Sequence, residues 1–155
     1  MRTIGDLISH YEELLTKAGI EDARFDIIEL LSEYMGKSKM ELRLLMDTEP
    51  DEELVAKMDD AIRRMRDDEP VAYIIGKAYF YREEYKVGKG VLIPRPDTEV
   101  LVEKAYQVIL DSGIRNPVIW DLCTGTGCIG ISLSNELLNN GSVLVVVTLL
   151  LIHKT

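Results

Sequence analysis

The sequence predicts an α+β protein with a helical first half and a mixed second half. Residues 1–75 carry apolar side chains at helical spacing between short turns, as in a small helical bundle. Residues 76–93 are rich in Tyr and Phe and predict a β-hairpin linker. Residues 94–155 then predict a helix, a strand, a glycine-rich turn, a second helix and a second strand. That order is typical of the opening of an α/β domain.

The first 75 residues contain signals for several helices. Thr3 opens the first helix, and Asp22 opens the second. The segment 38–41 (Ser-Lys-Met-Glu) is a capping box for a short third helix. A fourth helix starts near 48–51, and a short fifth piece follows Pro70. The apolar side chains predicted to form the core are Ile4, Leu7, Ile8, Tyr11, Leu14, Leu15, Ile27, Ile28, Leu30, Leu31, Tyr34, Met35, Leu54, Met58, Ala61, Ile62 and Met65.

The second half begins with a hairpin whose turn is predicted around residues 82–84. The proline-rich segment 94–96 holds the following backbone extended, and Asp97 or Thr98 is expected to cap the next helix. Five apolar side chains of that helix are predicted to be buried, namely Leu101, Val102, Ala105, Val108 and Ile109. Residues 118–122 are predicted to form a short buried strand.

The net charge of −9 lies entirely in the first half of the chain. Residues 1–70 hold 19 acidic and 10 basic side chains, whereas residues 71–155 hold 8 of each sign. An acidic surface disfavours contact with a phosphate backbone, so no direct nucleic-acid binding is expected. The simpler interpretation of the charge is a solvated helical surface. The alternative is an acidic face that docks a basic protein partner.

Composition also bears on membrane contact, metal binding and the cellular location of the protein. The longest apolar run, residues 143–152, is too short to span a bilayer, so no membrane contact is expected. The polar N-terminus predicts no signal peptide. With two cysteines and two histidines in the whole chain, no metal site is predicted. A reduced, cytoplasmic location fits these features.

A glycine-rich loop follows the predicted strand. Gly125, Gly127 and Gly130 match the G-x-G-x-x-G pattern and lead into a helix, a geometry that binds adenosine-type cofactors. A nicotinamide site would need an acidic residue near 145–148, where the chain has Val-Val-Val-Thr. Asp121, just before the loop, can order it and accept hydrogen bonds from a cofactor. The alternative is that the glycines only permit a tight turn.

Two segments carry a resemblance to a known family. Residues 92–99 (Leu-Ile-Pro-Arg-Pro-Asp-Thr-Glu), followed by 121–127 (Asp-Leu-Cys-Thr-Gly-Thr-Gly), resemble the HemK family, the peptide chain release factor glutamine N5-methyltransferases. The segment 69–76 and the helical first half also fit this family. The resemblance implies a helical substrate-docking domain, a hairpin linker and a Rossmann-like class I methyltransferase domain. It also implies S-adenosylmethionine as the cofactor and release factors as the protein substrate.

The resemblance places a cofactor site in the glycine loop. The implied cofactor-binding residues are Asp121, Cys123, Thr124, Gly125, Thr126 and Gly127. The segment that borders the family's site contributes Arg95, Thr98 and Glu99, for which helix capping and packing are the alternative roles. Cys123 stands where the family usually has glycine, and its side chain is expected to cost some affinity. Arg82 stands where the family's hairpin often has glycine, and no function is attached to it.

Two family elements are absent from the sequence. One is the Asn-Pro-Pro-Tyr motif that orients the substrate amide, so no catalytic residue is assigned. The other is the acid that holds the cofactor ribose, because no Asp or Glu follows Glu136, and Thr148 would replace it poorly. We expect a truncated N-terminal part of the enzyme with an aberrant tail over 141–155, and no catalysis by this chain alone. A short protein whose edge strand pairs with a second copy is the alternative.

Three functions remain open at this point. The first is methylation of a glutamine side-chain amide on release factors with S-adenosylmethionine, with other amino acids and nucleic-acid bases also open as methyl acceptors. The second is a non-catalytic module whose acidic helical half docks a release factor. The third is a fragment of an NAD-dependent dehydrogenase.

Overall fold

The computed structural model describes residues 3–114, 116–139, 141 and 145–149. The chain divides into two compact units, Met1–Ile75 and Gly76–Thr155. The first unit contains α1 (Ile4–Lys17), α2 (Ala23–Met35), α3 (Lys39–Leu44), α4 (Glu52–Arg66) and α5 (Val71–Ile75). The second contains β1 (Lys77–Phe80), β2 (Glu83–Lys86), α6 (Glu99–Ser112), β3 (Val118–Leu122), α7 (Cys128–Asn139) and β4 (Val145–Leu149). This confirms the α+β class.

Local capping sets the start of three helices in the first unit. The side chains of Thr3, Ser38 and Asp51 each accept a hydrogen bond from a backbone N–H of the helix that follows, at 3.1, 3.2 and 2.7 Å. The Glu41 carboxylate in turn accepts a hydrogen bond from the Ser38 backbone N–H, which completes the predicted capping box. Asp22 also precedes a helix, but it adopts a left-handed conformation and makes no side-chain capping bond. These bonds within one turn explain why the sequence located the helices well.

The core of the first unit is apolar and closed. Buried side chains from α1, α2, α3 and α4 form one cluster, in which Leu7, Leu30 and Met58 have no exposed surface. The predicted core is confirmed except that Leu14, Ile28, Tyr34 and Met35 are only partly buried. Ala23 and Leu42 are buried in addition.

The second unit begins with an antiparallel hairpin. Phe80 of β1 pairs with Glu83 of β2, so the turn consists of Tyr81 and Arg82. The predicted turn at 82–84 is therefore wrong by one or two residues, and Glu83 lies within β2. This register points Phe80 and Tyr85 into the core of the second unit, which explains why it is preferred.

Strands β3 and β4 pair in parallel, and α7 connects them in sequence and contacts both. Ile119 and Asp121 are half-buried, whereas Val118, Trp120 and Leu122 are about 60% exposed. The prediction of a buried strand is therefore wrong for one face. Within the described residues one helical layer contacts this sheet, and side chains alternate along a strand, so every second residue remains open.

Helix α6 differs from prediction in the same way. Of the five side chains expected to be buried, only Val102 is fully covered, and Ala105 and Ile109 are half-buried. Leu101 and Val108 are 53% and 68% exposed. Of the two expected caps, Thr98 precedes α6 without a side-chain hydrogen bond to it, and Asp97 lies within the preceding 3₁₀ turn over Pro96–Thr98.

Two further findings concern the chain as a whole. In the described part of the chain, no helix is both long and apolar enough to cross a membrane. The tail expected to be aberrant, residues 141–155, lies outside the described residues apart from Gly141 and β4. The division into docking domain, linker and catalytic domain stays a prediction.

Candidate cofactor-binding loop

The connection between β3 and α7 is a tight turn of five residues. Three of them have left-handed backbone conformations, with φ of +60° at Cys123, +57° at Gly125 and +79° at Gly127. The Gly127 N–H donates to the Thr124 carbonyl at 2.9 Å, which closes the turn. Glycine adopts these conformations without steric cost, and this explains two of the three positions.

Asp121 organises this turn from the end of β3. Its Oδ2 accepts a hydrogen bond from the Thr124 hydroxyl at 2.7 Å and another from the Gly130 N–H at 3.1 Å. Gly130 lies in the first turn of α7, where backbone N–H groups have no partner within the helix. The carboxylate therefore ties the strand, the loop and the helix N-terminus together, and its charge suits the positive end of the helix.

In the rest of the loop, some residues are fixed by hydrogen bonds and packing, whereas Gly125 has open space beside it. The Thr126 hydroxyl accepts from the Cys128 N–H at 3.3 Å, and Thr124 is buried. A Cβ placed on Gly127 would lie 3.2 Å from Cδ1 of Ile131, so this glycine packs against α7. A Cβ on Gly125 would meet no atom within 4 Å. The open surface at Gly125 is where a ligand can approach the backbone closely.

Cys123 is an exposed free thiol held in a conformation that favours glycine. Non-glycine residues in this region carry a strain of about 1–2 kcal/mol. The structure thus provides a backbone reason why glycine suits this position, beyond the space that a side chain occupies. Cys128 is buried in the core of the second unit.

The three bordering residues make local contacts. Arg95 is exposed, and its carbonyl accepts from the Thr98 N–H at 2.9 Å in a 3₁₀ turn over Pro96–Thr98. Glu99 Oε1 accepts from the Tyr81 N–H at 2.8 Å and so links α6 to the hairpin turn. Among the described residues, no hydrogen bond joins Arg95, Thr98 or Glu99 to the glycine loop.

A polar network around the Tyr85 hydroxyl, between the hairpin and α7, was not predicted from the sequence. The Tyr85 hydroxyl donates to Glu83 Oε2 at 3.0 Å, with the Cys128 carbonyl a longer, second acceptor at 3.4 Å, and it lies 2.8 Å from the Ser132 Oγ. Burial raises the pKa of Tyr85 to about 12, and the bond to Glu83 acts in the same direction while that to Ser132 opposes it. Only the high aromatic content of the hairpin hinted at this network.

The sheet register shows which side chain of β4 lies beside Asp121. Asp121 of β3 lies beside Thr148 of β4, and β4 as described carries no carboxylate. The loop, the helix N-terminus and Asp121 fit an adenosine-type cofactor, whereas β4 supplies no anionic acceptor for its ribose. No group of three or more His, Cys, Asp or Glu side chains within the described ranges is placed to hold a metal ion.

Comparison with known proteins shows which family this chain resembles. The PrmC N-terminal domain model matches residues 6–76. A release factor glutamine methyltransferase of Haemophilus influenzae is 42% identical over 128 residues, which is 81% of this chain and 44% of that protein. The chain belongs to the release factor glutamine methyltransferase family. The resemblance found in the sequence is thereby confirmed.

Other members of the family are similar over different stretches. The enzyme of Streptomyces coelicolor is 35% identical over 129 residues, which is 83% of this chain and 44% of that protein. That of Thermodesulfovibrio yellowstonii is 51% identical over 78 residues, which is 48% of this chain and 27% of that protein. The chain spans less than half the length of each of these family members. The match of 128 residues is longer than the helical unit, so the likeness includes part of the second unit.

Proposed function

We propose that the chain contributes to an S-adenosylmethionine-dependent methyltransferase that modifies a glutamine side-chain amide of peptide chain release factors. The observation that carries the proposal is the loop between β3 and α7, which Asp121 organises in a chain of this family. The names of the relatives supply the substrate class. The cytoplasm is the proposed location.

Within this proposal the two units have separate tasks. Residues 1–75 form a helical docking domain, residues 76–93 a hairpin linker, and residues 94–155 the start of a Rossmann-like domain. The hairpin is a linker in sequence only, because Phe80 and Tyr85 belong to the same core as α6 and α7. Asp121, Cys123, Thr124, Gly125, Thr126 and Gly127 form the proposed cofactor loop, with Arg95, Thr98 and Glu99 in the segment that borders it.

The residues of the loop bind and orient rather than react. When bound, S-adenosylmethionine would supply a methyl carbon on a sulfonium. The substrate amide nitrogen would bond to that carbon as the C–S bond breaks, with S-adenosylhomocysteine as the leaving group and one amide proton lost. Asp121 holds the loop in shape, Gly125 leaves room for close approach, and the first turn of α7 presents backbone N–H groups. The sequence has no Asn-Pro-Pro-Tyr motif and no carboxylate after Glu136. We therefore expect residues 1–155 to bind the cofactor weakly and to transfer no methyl group.

Calorimetric titration of the 155-residue chain tests the cofactor assignment. S-adenosylmethionine should bind more tightly than NAD, and Asp121→Asn should weaken its binding about tenfold or more, because a charged acceptor of two hydrogen bonds is lost. Asp111→Asn, an exposed position on α6, is the matched control and should leave the affinity unchanged. Tighter binding of NAD would favour the dehydrogenase alternative, and an unchanged affinity in Asp121→Asn would remove the loop from the site.

A second candidate, a non-catalytic release-factor-binding module, is favoured by the closed core and the acidic charge of the first unit. A pull-down of a release factor by residues 1–75 should succeed if that unit docks the substrate. A methyl-transfer assay on the 155-residue chain separates the two candidates. Turnover would contradict the expectation that this chain alone is inactive.

A further inference from the structure

We infer that Tyr85 is a positioning residue for the glycine loop, and that its hydroxyl holds the first turn of α7 in the shape that cofactor binding needs. The inference rests on the proposed cofactor site. It gives the hairpin a role in the site. Neither family membership nor the glycine motif assigns that role.

The hydroxyl of Tyr85 reaches across the core to α7. Tyr85 lies on β2 and is only 7% exposed, and its ring packs edge-on against Phe80 with centroids 6.2 Å apart. Its oxygen lies 3.0 Å from Glu83 Oε2 on its own strand. It also contacts the Ser132 Oγ at 2.8 Å and the Cys128 carbonyl at 3.4 Å, which are one helical turn apart on α7. A buried hydroxyl is costly unless it is bonded, so this placement is a specific polar link rather than filling of the core.

The same turn of α7 is held from the loop side. Thr126 accepts from the Cys128 N–H, and Asp121 accepts from the Gly130 N–H. The Cys128 carbonyl thus contacts the Tyr85 hydroxyl of the hairpin, while the Cys128 N–H donates to Thr126 of the loop. A displacement of this turn toward or away from the hairpin would move the loop as well.

The hairpin is itself attached firmly enough to serve as a reference point. The Tyr81 N–H is bonded to Glu99 of α6, and Arg82 forms an ion pair of 2.6 Å with Glu136 of α7. Glu83 also accepts a hydrogen bond from Asn135. The Tyr85 hydroxyl is protonated at neutral pH, because the ordinary pKa of tyrosine is near 10 and burial raises the pKa further, so it is able to donate.

The test compares Tyr85→Phe with Tyr79→Phe in the full 155-residue chain. Both changes remove one hydroxyl from the hairpin, but Tyr79 is 71% exposed and serves as the control. Tyr85→Phe should weaken S-adenosylmethionine binding about three- to tenfold, the range expected for one lost hydrogen bond. In the ligand-free protein it should speed amide hydrogen exchange at Gly130 and Ile131 more than at β1 and β2. Tyr79→Phe should change neither quantity.

Ser132→Ala is a second variant, which removes the other hydroxyl of the pair from α7. It should act in the same direction, and the double variant should lose less than the two single effects combined, because both remove one interaction. Uniformly faster exchange across the second unit would overturn the inference, since it would show a general structural role. Unchanged local exchange in both single variants would also overturn it. If the wild-type chain binds no S-adenosylmethionine, the proposed function fails, and the exchange measurement alone decides the role of Tyr85.

Discussion

The two units differ in how many of their large apolar side chains are buried. The first unit buries fifteen residues in one cluster, and its exposed large apolar side chains are Phe25, Met40 and Leu44 in the described part. The described part of the second unit exposes Tyr79, Leu92, Val100, Leu101, Val108, Leu110, Ile114, Val118, Trp120, Leu122, Ile131 and Leu138. Helices satisfy their own backbone hydrogen bonds and can close a small bundle, whereas parallel strands are normally covered on both faces.

Helices α4 and α6 show the difference at the level of one element. Helix α4 has five buried apolar residues on one face and charged residues elsewhere. Helix α6 carries apolar residues around most of its circumference, yet only Val102 is fully buried. A helix that is apolar on all sides is typical of one enclosed by neighbours. The sequence of α6 is therefore more apolar than its exposure in the described part of the second unit would require.

The largest expected difference in stability comes from replacing one leucine by alanine in each unit. Leu30→Ala in α2 should lower the free energy of unfolding by about 2–5 kcal/mol, because it opens a cavity in a closed core. Leu101→Ala in α6, which is half exposed, should cost about 0.5 kcal/mol or less. Urea denaturation followed by circular dichroism measures both. Equal losses would show that the exposed face of α6 is covered in solution.

A smaller effect should appear at high pH in the second unit. Tyr85 keeps its proton to about pH 12 in the folded state, while the unfolded chain loses it near pH 10. The unfolded state therefore binds fewer protons in this window, and stability should fall by about 1–3 kcal/mol between these values. Fluorescence of Trp120, the single tryptophan of the chain, reports on this unit. Tyr85→Phe should flatten the pH dependence, whereas Tyr11→Phe, a change in the first unit, should leave it in place.

The smallest expected effect is a gain in stability at the loop. Cys123→Gly should stabilise the second unit by about 0.5–1 kcal/mol, because relief of left-handed strain exceeds the entropy cost of glycine. Cys123→Ala removes the thiol and keeps the strain, so it should give no gain. Urea denaturation followed by Trp120 fluorescence measures both variants. A gain in the alanine variant would attribute the effect to the thiol instead of the backbone.

Patterns along the sequence predicted the first unit closely because its determinants are local. The caps at Thr3, Ser38 and Asp51 act within one turn of helix. The apolar faces of the helices are buried by packing against each other. The glycine loop was also visible, since its turn depends on residues close in the chain. Burial of Leu101 and Trp120 was not predictable, because it depends on what stands opposite them.

Non-local contacts decided the rest of the candidate site. Tyr81 occupies a left-handed position in a two-residue turn that local preference would give to glycine, and its N–H is held by Glu99, eighteen residues later. The link from Tyr85 to Ser132 spans forty-seven positions and has no counterpart in any motif.

The sequence by itself thus determined the helical unit, the strand–loop–helix order and the family, because each follows from short-range pattern. Only the tertiary structure decided which side chains stay exposed in the second unit and how the hairpin supports the loop. The reason is physical: periodicity and capping act over a few residues. Burial and hydrogen bonds across a core depend instead on which distant surfaces the fold brings together.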